Sequence, residues 1–327
     1  MVSTGAPKPT MNSVSSILMH GAATAGNGQP ISLILKRQFP ALDLIATRHL
    51  LCCCKLTPCK CLTGCIRPGG APVRVNVAQP PAPTADIHLE FTLDKHIDSG
   101  KSGIVNSTTL SSLSSPAHAM VPFVVKFAVR KRNKNLLREA WFYDELQSLQ
   151  GSTIPRCYGY FEGELPEGCT FAPWKTVEDL RGEKNYEELE DKYFDALYGA
   201  FNPAYRSTLA RFETAACVTV LLLEPLGGPF LEWGMKAAEL DKAITQVRIA
   251  YRDISQLGVH HGDVRRPNIL AVTKSSTSNP SPISGETYPF RIIDFEWAQK
   301  SDYSDTMIRS EHEVDLEPIR ERILISI

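Results

Sequence analysis

No stretch of this 327-residue chain approaches 18 consecutive apolar residues, so no membrane-spanning helix is expected. Net charge is also nearly absent, at −1, and without a global basic excess the composition gives no argument for nucleic acid. Nor is there a usable secretory core. The fairly apolar segment from Ile31 to Leu51 is interrupted by Lys36, Arg37, Pro40 and Asp43. No internal repeat is found. Hydrophobic residues make up 43% and charged residues 22%, values that exclude a wholly disordered or fibrous chain.

The averages conceal a split. Residues 1–85 hold eight Lys/Arg and a single acid, Asp43, together with ten of the 23 prolines. Runs such as Gly21–Pro30 and Gln79–Thr84 read as loop or disorder, because such composition buries too little surface to offset chain entropy. Residues 1–85 are therefore expected to be a disordered basic leader. An organelle transit sequence is the second reading.

Six of the nine cysteines lie between Cys52 and Cys65, spaced Cys54-x4-Cys59-x-Cys61-x3-Cys65. Structural zinc sites pair thiolates at two- to four-residue separations and then repeat the pair, and no such framework appears. Adventitious metal binding, palmitoylation, redox sensing and an unstructured tract of free thiols all stay open. Without a signal peptide, a reducing compartment follows, cytoplasmic or nuclear.

From Ile87 the texture changes. Ile87–Leu93 alternates apolar and polar residues, and in Val121–Val129 Phe123, Val125, Phe127 and Val129 share one face, both predicting strands. Leu136–Leu149 reads as a helix. Tyr158–Phe161, Val218–Leu223, Ile269–Val272 and Phe290–Ile293 read as further strands. Asp241 is expected to cap a helix with the stripe Ile244, Val247, Tyr251, Ile254 and Leu257, which Gly258 ends. An acidic insertion spans about 164–213, with Tyr186, Leu189, Tyr193 and Leu197 at helical spacing. Asn106–Pro116 and Ser275–Pro289 are rich in Ser, Thr and Pro and are expected to be mobile loops. Glu311–Leu324 reads as an amphipathic helix.

The chemistry concentrates at His261-Gly-Asp-Val-Arg-Arg-Pro-Asn-Ile-Leu270. An Asp and an Asn five residues apart can be aimed at one point by such a loop. Asp263 can accept a hydroxyl proton, and Asn268 can offer an oxygen to a hard cation. Asp294, placed right after an apolar strand, would be a metal-holding carboxylate. Gly100-Lys101-Ser102 invites a Walker A reading, but that motif needs Gly at position 95, where Lys95 stands.

In this order the residues resemble the protein kinase superfamily, and among its members the divergent fungal-type protein-kinase-like proteins. His261-Gly262-Asp263 with Asn268 resembles the catalytic loop, and Asp294-Phe295-Glu296 the metal-binding motif. Ile97-Asp-Ser-Gly100-Lys-Ser-Gly103-Ile-Val105 resembles the glycine-rich loop. Lys126 resembles the strand lysine that grips phosphates, Glu139 the helix glutamate that orients it, and Glu224-Pro225-Leu226 the hinge that meets adenine through backbone groups. Glu145 competes with Glu139, since at most one of the two can face Lys126.

The resemblance covers about residues 87–305. It implies an α+β, bilobal protein-kinase-like fold spanning 86–327. A small antiparallel-sheet N-lobe with one helix (about 86–224) would precede a short, mostly helical C-lobe (about 225–327). It further implies ATP and Mg²⁺ as cofactors, with Gly100, Gly103 and Val105 over the nucleotide, Asn268 and Asp294 on the metal, Asp263 as base, and Arg265 offsetting charge on the transferred group.

The acceptor it implies is a hydroxyl, protein Ser/Thr by default, with no nucleic-acid partner. A small molecule is the other acceptor, and a nucleotide-binding scaffold without turnover is the alternative. Gly262, Glu296 and Asp98 depart from the family pattern. Only 33 residues follow Asp294, and no Ala-Pro-Glu motif appears, so a minimal C-lobe is expected.

Overall fold

The computed structural model describes residues 14–39, 87–100, 103–113, 122–129, 132–174, 216–274, 276–300 and 304–325. The cysteine cluster and the helix expected near Tyr186 lie outside the described residues. The chain divides into two compact units. Among the described residues, those before Glu145 and from Arg156 to Pro225 form the first, and Glu145–Pro155 and those from Leu226 onward form the second.

The first unit is a closed barrel. Its strands are β1 (Val14–Thr24), β2 (Pro30–Gln38), β3 (Ile87–Ser99), β4 (Gly103–Leu113), β5 (Val124–Ala128), β6 (Cys157–Glu164) and β8 (Cys217–Leu223). They are ordered β2-β6-β8-β5-β4-β3-β1, and pairing of β1 with β2 closes the ring. A two-residue strand, β7 (Thr170–Phe171), adds to the end of β1. β1 runs parallel to β3, and the other neighbours in the ring are antiparallel.

Alternation explains the closure. Val14, Ile17 and Met19 of β1, Leu33 and Leu35 of β2, Leu89 and Phe91 of β3, Val125 and Phe127 of β5, and Val220 and Leu222 of β8 belong to one buried cluster. One face of every strand thus fills the interior, as small barrels require. Lys126, between Val125 and Phe127, stands on the outer side. Helix α1 (Asn133–Glu145) starts against that outer wall. There Asn133 accepts a bond from the Thr219 hydroxyl at 2.8 Å and donates to the Cys217 carbonyl at 3.2 Å.

Two expectations are corrected here. The bilobal fold with a small antiparallel sheet and a mostly helical C-lobe is replaced by a closed seven-stranded mixed barrel. Part of the segment read as a disordered leader supplies two of its staves. Composition averaged over 85 residues hid a hairpin in which Gly28 takes φ +82° at the turn and donates to Ala25 O at 2.9 Å.

The second unit combines small sheets with two long helices. β9 (Leu226–Pro229), β11 (Ile269–Val272) and β12 (Phe290–Ile292) form one sheet, and β10 (Val259–His260) pairs with β13 (Gln299–Lys300). Helix α2 (Ala237–Gln256) buries Leu240, Ile244, Val247, Tyr251 and Ile254, a 3.6-residue stripe. Gly258 closes it at φ +70°. Asp241 lies inside α2 rather than capping it, and it pairs with Arg320 of helix α3 (Asp305–Ile325) at 2.8 Å. α3 turns Ile308, His312, Leu316 and Ile323 inward.

The Ser/Pro-rich segment expected to be mobile is tied down. Ser284 and Tyr288 both donate to Asp253 Oδ2 at 2.8 Å, and Arg291 reaches Ser278 Oγ at 3.0 Å.

Candidate functional site

The side chains expected to form the site fall into two sets, one in each unit. In the first unit, β4 and β5 pair with Val105 opposite Lys126 and Gly103 opposite Ala128. Lys126 Nζ donates to Glu139 Oε2 at 2.6 Å. The Glu139 side chain is only 2% exposed and that of Lys126 13%, so this is a buried pair whose ammonium keeps some access. Glu145 meets Lys300 instead, which decides between the two glutamates.

Gly103 has a role the sequence did not show. A Cβ there would stand 2.6 Å from Lys126 Cε. The missing side chain therefore makes room for the lysine itself. Gly100 N–H donates to Gly103 O at 2.8 Å, closing the turn between β3 and β4.

Glu224 N–H is bonded to Arg156 O at 3.0 Å and its carboxylate to the Arg156 guanidinium at 2.7 Å, so neither of these groups is offered to a base. Leu226 begins β9 of the second unit, where it pairs with Val272.

In the second unit the loop after β10 gathers the acids. Asn268 Nδ2 donates to both the backbone oxygen and Oδ2 of Asp263, each at 2.9 Å. Arg265 spans two carboxylates, with Nε 2.8 Å from Asp263 Oδ2 and an Nη 3.3 Å from Asp294 Oδ2. Asp263 and Asp294, 31 residues apart in the chain, thus share one guanidinium.

Asp294 sits at φ +71°, the one positive-φ residue besides glycines among those described. Such a backbone costs about 1 kcal/mol or more for an L-residue and persists where surroundings impose it. Here Ile293 N–H is held by Asn268 O at 3.0 Å, just before the strained residue.

His261 is buried beneath this loop. Its Nδ1 accepts Asp263 N–H at 3.3 Å, which places the proton on Nε2, donated to Ile293 O at 2.9 Å. Burial, the largest cause, lowers its pKa and keeps the ring neutral. Gly262 takes φ +75°, and a Cβ there would overlap the Trp297 carbonyl. The glycine in the His-Gly-Asp sequence is a steric requirement of this loop.

The donors fit a hard divalent cation, since Asp294 offers a carboxylate and Asn268 an amide oxygen. Among the described residues no group of three or more His, Cys, Asp or Glu could hold a metal alone.

A scan of protein-family models and a search of curated proteins find no match to the chain. Together with the closed barrel, this overturns the resemblance to the protein kinase superfamily and to fungal-type protein-kinase-like proteins. Among the described residues no helix is long and apolar enough to cross a membrane.

Spacing missed one residue of the site, His312. It lies 51 positions beyond His261, whose N–H it accepts at 3.0 Å. No local pattern signals such a contact.

Proposed function

We propose that the chain is an ATP-dependent phosphotransferase that moves the γ-phosphate to a hydroxyl acceptor. The observation that carries this reading is the sharing of one arginine by Asp263 and Asp294, with Asn268 bound to Asp263 and Asp294 held in a strained backbone.

Asp263 orients the acceptor hydroxyl and takes its proton, while Asn268 fixes the carboxylate that does so. Asp294 and the Asn268 oxygen would hold Mg²⁺, which would supply positive charge against the phosphate groups. Arg265 adds positive charge where the transferred group gathers negative charge. Within the first unit, Lys126, oriented by Glu139, offers its ammonium to phosphate oxygens.

The acceptor is a protein Ser/Thr or a small-molecule hydroxyl. The compartment we infer for the reaction is the cytoplasm or nucleus.

Full-length chain with γ-labelled ATP, Mg²⁺ and a mixed acceptor pool tests the reading. Transfer should need Mg²⁺, fall about 10²- to 10⁴-fold in Asp263→Asn, and vanish in Asp294→Ala. The labelled product separates protein from small-molecule acceptors. Equal background in the folded wild type and both variants would refute it.

Arg265 favours one second reading, a nucleotide-binding scaffold without turnover, because its guanidinium already neutralises both carboxylates. ATP binding indifferent to Mg²⁺, with no transfer, would establish that.

A further inference from the structure

The strongest observation outside the transfer loop itself is a run of assigned hydrogen bonds reaching it from α3. His312 is 1% exposed. Its Nε2 accepts the backbone N–H of His261 at 3.0 Å. The ring proton must then lie on Nδ1, which faces Ser255 Oγ at 3.1 Å. Ser255 accepts it because its own hydroxyl proton goes to Tyr251 O at 2.8 Å. The tautomer follows from this network. His260 stacks on the His312 ring at 5.1 Å, and the Tyr251 ring leans on it at 4.8 Å.

What His312 holds is the peptide that starts the transfer loop. The His261 ring in turn binds Asp263 N–H on one nitrogen and the Ile293 carbonyl, next to Asp294, on the other.

We infer that His312 is a positioning residue for phosphoryl transfer, fixing the His261 peptide and through it the placement of both Asp263 and Asp294. The inference rests on the phosphotransfer reading of those two acids. His312 reaches the acids through the His261 peptide, whose N–H it accepts. A protonated ring cannot do this work, because Nε2–H would face His261 N–H donor to donor. Burial, followed by the neighbouring His260 and His261, holds the His312 pKa well below the ordinary imidazole value and keeps the acceptor nitrogen bare.

The test uses full-length wild type, His312→Phe and His312→Gln. Phe keeps the stacked ring and loses both bonds. Gln keeps an oxygen able to accept the His261 N–H. His312→Phe should lose about 10²-fold in kcat with KM for ATP nearly unchanged, since misplacement of reacting groups acts on the transition state. His312→Gln should recover most of the loss. In parallel, the His261 and Asp263 amides should exchange with solvent faster in His312→Phe than in wild type.

Wild-type kcat in a folded His312→Phe, with His261 amide protection unchanged, would overturn the inference. If wild type transfers no phosphate, the functional reading falls, and the exchange comparison alone decides whether His312 fixes this loop. If His312→Phe does not fold, the nitrogen shifts of the wild-type ring decide. A proton on Nδ1 with bare Nε2 supports the assignment, and the reverse tautomer overturns it.

Discussion

Lys126 and Glu139 make a pair whose two halves should respond unequally to removal. The Glu139 side chain is 2% exposed, so Lys126→Met takes the ammonium away from a carboxylate with almost no access to water. Lys126 is 13% exposed and flexible, so in Glu139→Gln the ammonium can turn outward and rehydrate. Breaking a buried pair from one side costs about 3–5 kcal/mol, whereas replacing both partners by apolar groups is often neutral. Lys126→Met should therefore lose about 3 kcal/mol, Glu139→Gln about half that, and Lys126→Met/Glu139→Leu less than about 1 kcal/mol. The implied coupling exceeds about 3 kcal/mol, well above the departure from additivity expected of independent sites. Urea unfolding of the full chain at neutral pH, followed by circular dichroism, measures all four proteins. Single losses below about 0.5 kcal/mol that simply add would refute the claim that this contact is desolvated and paired.

The remaining local predictions follow from single positions. Gly262→Ala adds a Cβ against the Trp297 carbonyl at φ +75°, and should cost about 2 kcal/mol or more in urea unfolding because backbone cannot yield cheaply. Gly103→Ala obstructs only the far end of a flexible side chain, so it should cost under about 1 kcal/mol while displacing Lys126 and lowering ATP affinity in calorimetry. Burial pushes Asp144 up to about 6, with the Arg37 guanidinium offsetting part of the effect. The folded state therefore binds this proton more tightly than the unfolded one, and wild type loses stability as pH rises from about 4 to about 6. Asp144→Asn removes that loss. Its advantage over wild type should grow across the same window to at most about 3 kcal/mol, and a constant difference across pH would contradict the assignment.

What the sequence disclosed and what it hid differ in range. The strands around Phe161, Val125 and Val220 and the α2 stripe were legible, because burial on one face writes a period into adjacent residues. Asp263 and Asn268 were legible as partners because five residues of loop suffice to join them. The choice of Glu139 over Glu145 was not, since both lie on α1 and only packing against β5 selects one. His312 had no local signature at all. The barrel depends on pairings such as Ile17 with Leu89 and Lys36 with Glu162, which no periodicity within one segment records. Segment 276–289 reads polar yet is ordered, because one buried carboxylate, Asp253, collects two of its hydroxyls.

The two readings of the N-terminal segment make opposite predictions for a fragment beginning at residue 86. A disordered leader could be removed without effect on stability. As two staves of a closed barrel, β1 and β2 supply Val14, Ile17, Met19, Leu33 and Leu35 to the buried cluster. Burial of such side chains contributes roughly 1.5–3 kcal/mol each, so these five account for about 10 kcal/mol. That matches the whole stability of a typical domain, about 5–15 kcal/mol. Deletion also frees one edge each of β3 and β6, and unpaired edges with an apolar face associate. The fragment should therefore lose cooperative unfolding and run as aggregate on size exclusion, while the full chain gives a single sigmoidal transition. A monomeric fragment with a sharp transition and wild-type strand content would show that β1 and β2 are dispensable, and with them the closure of the barrel.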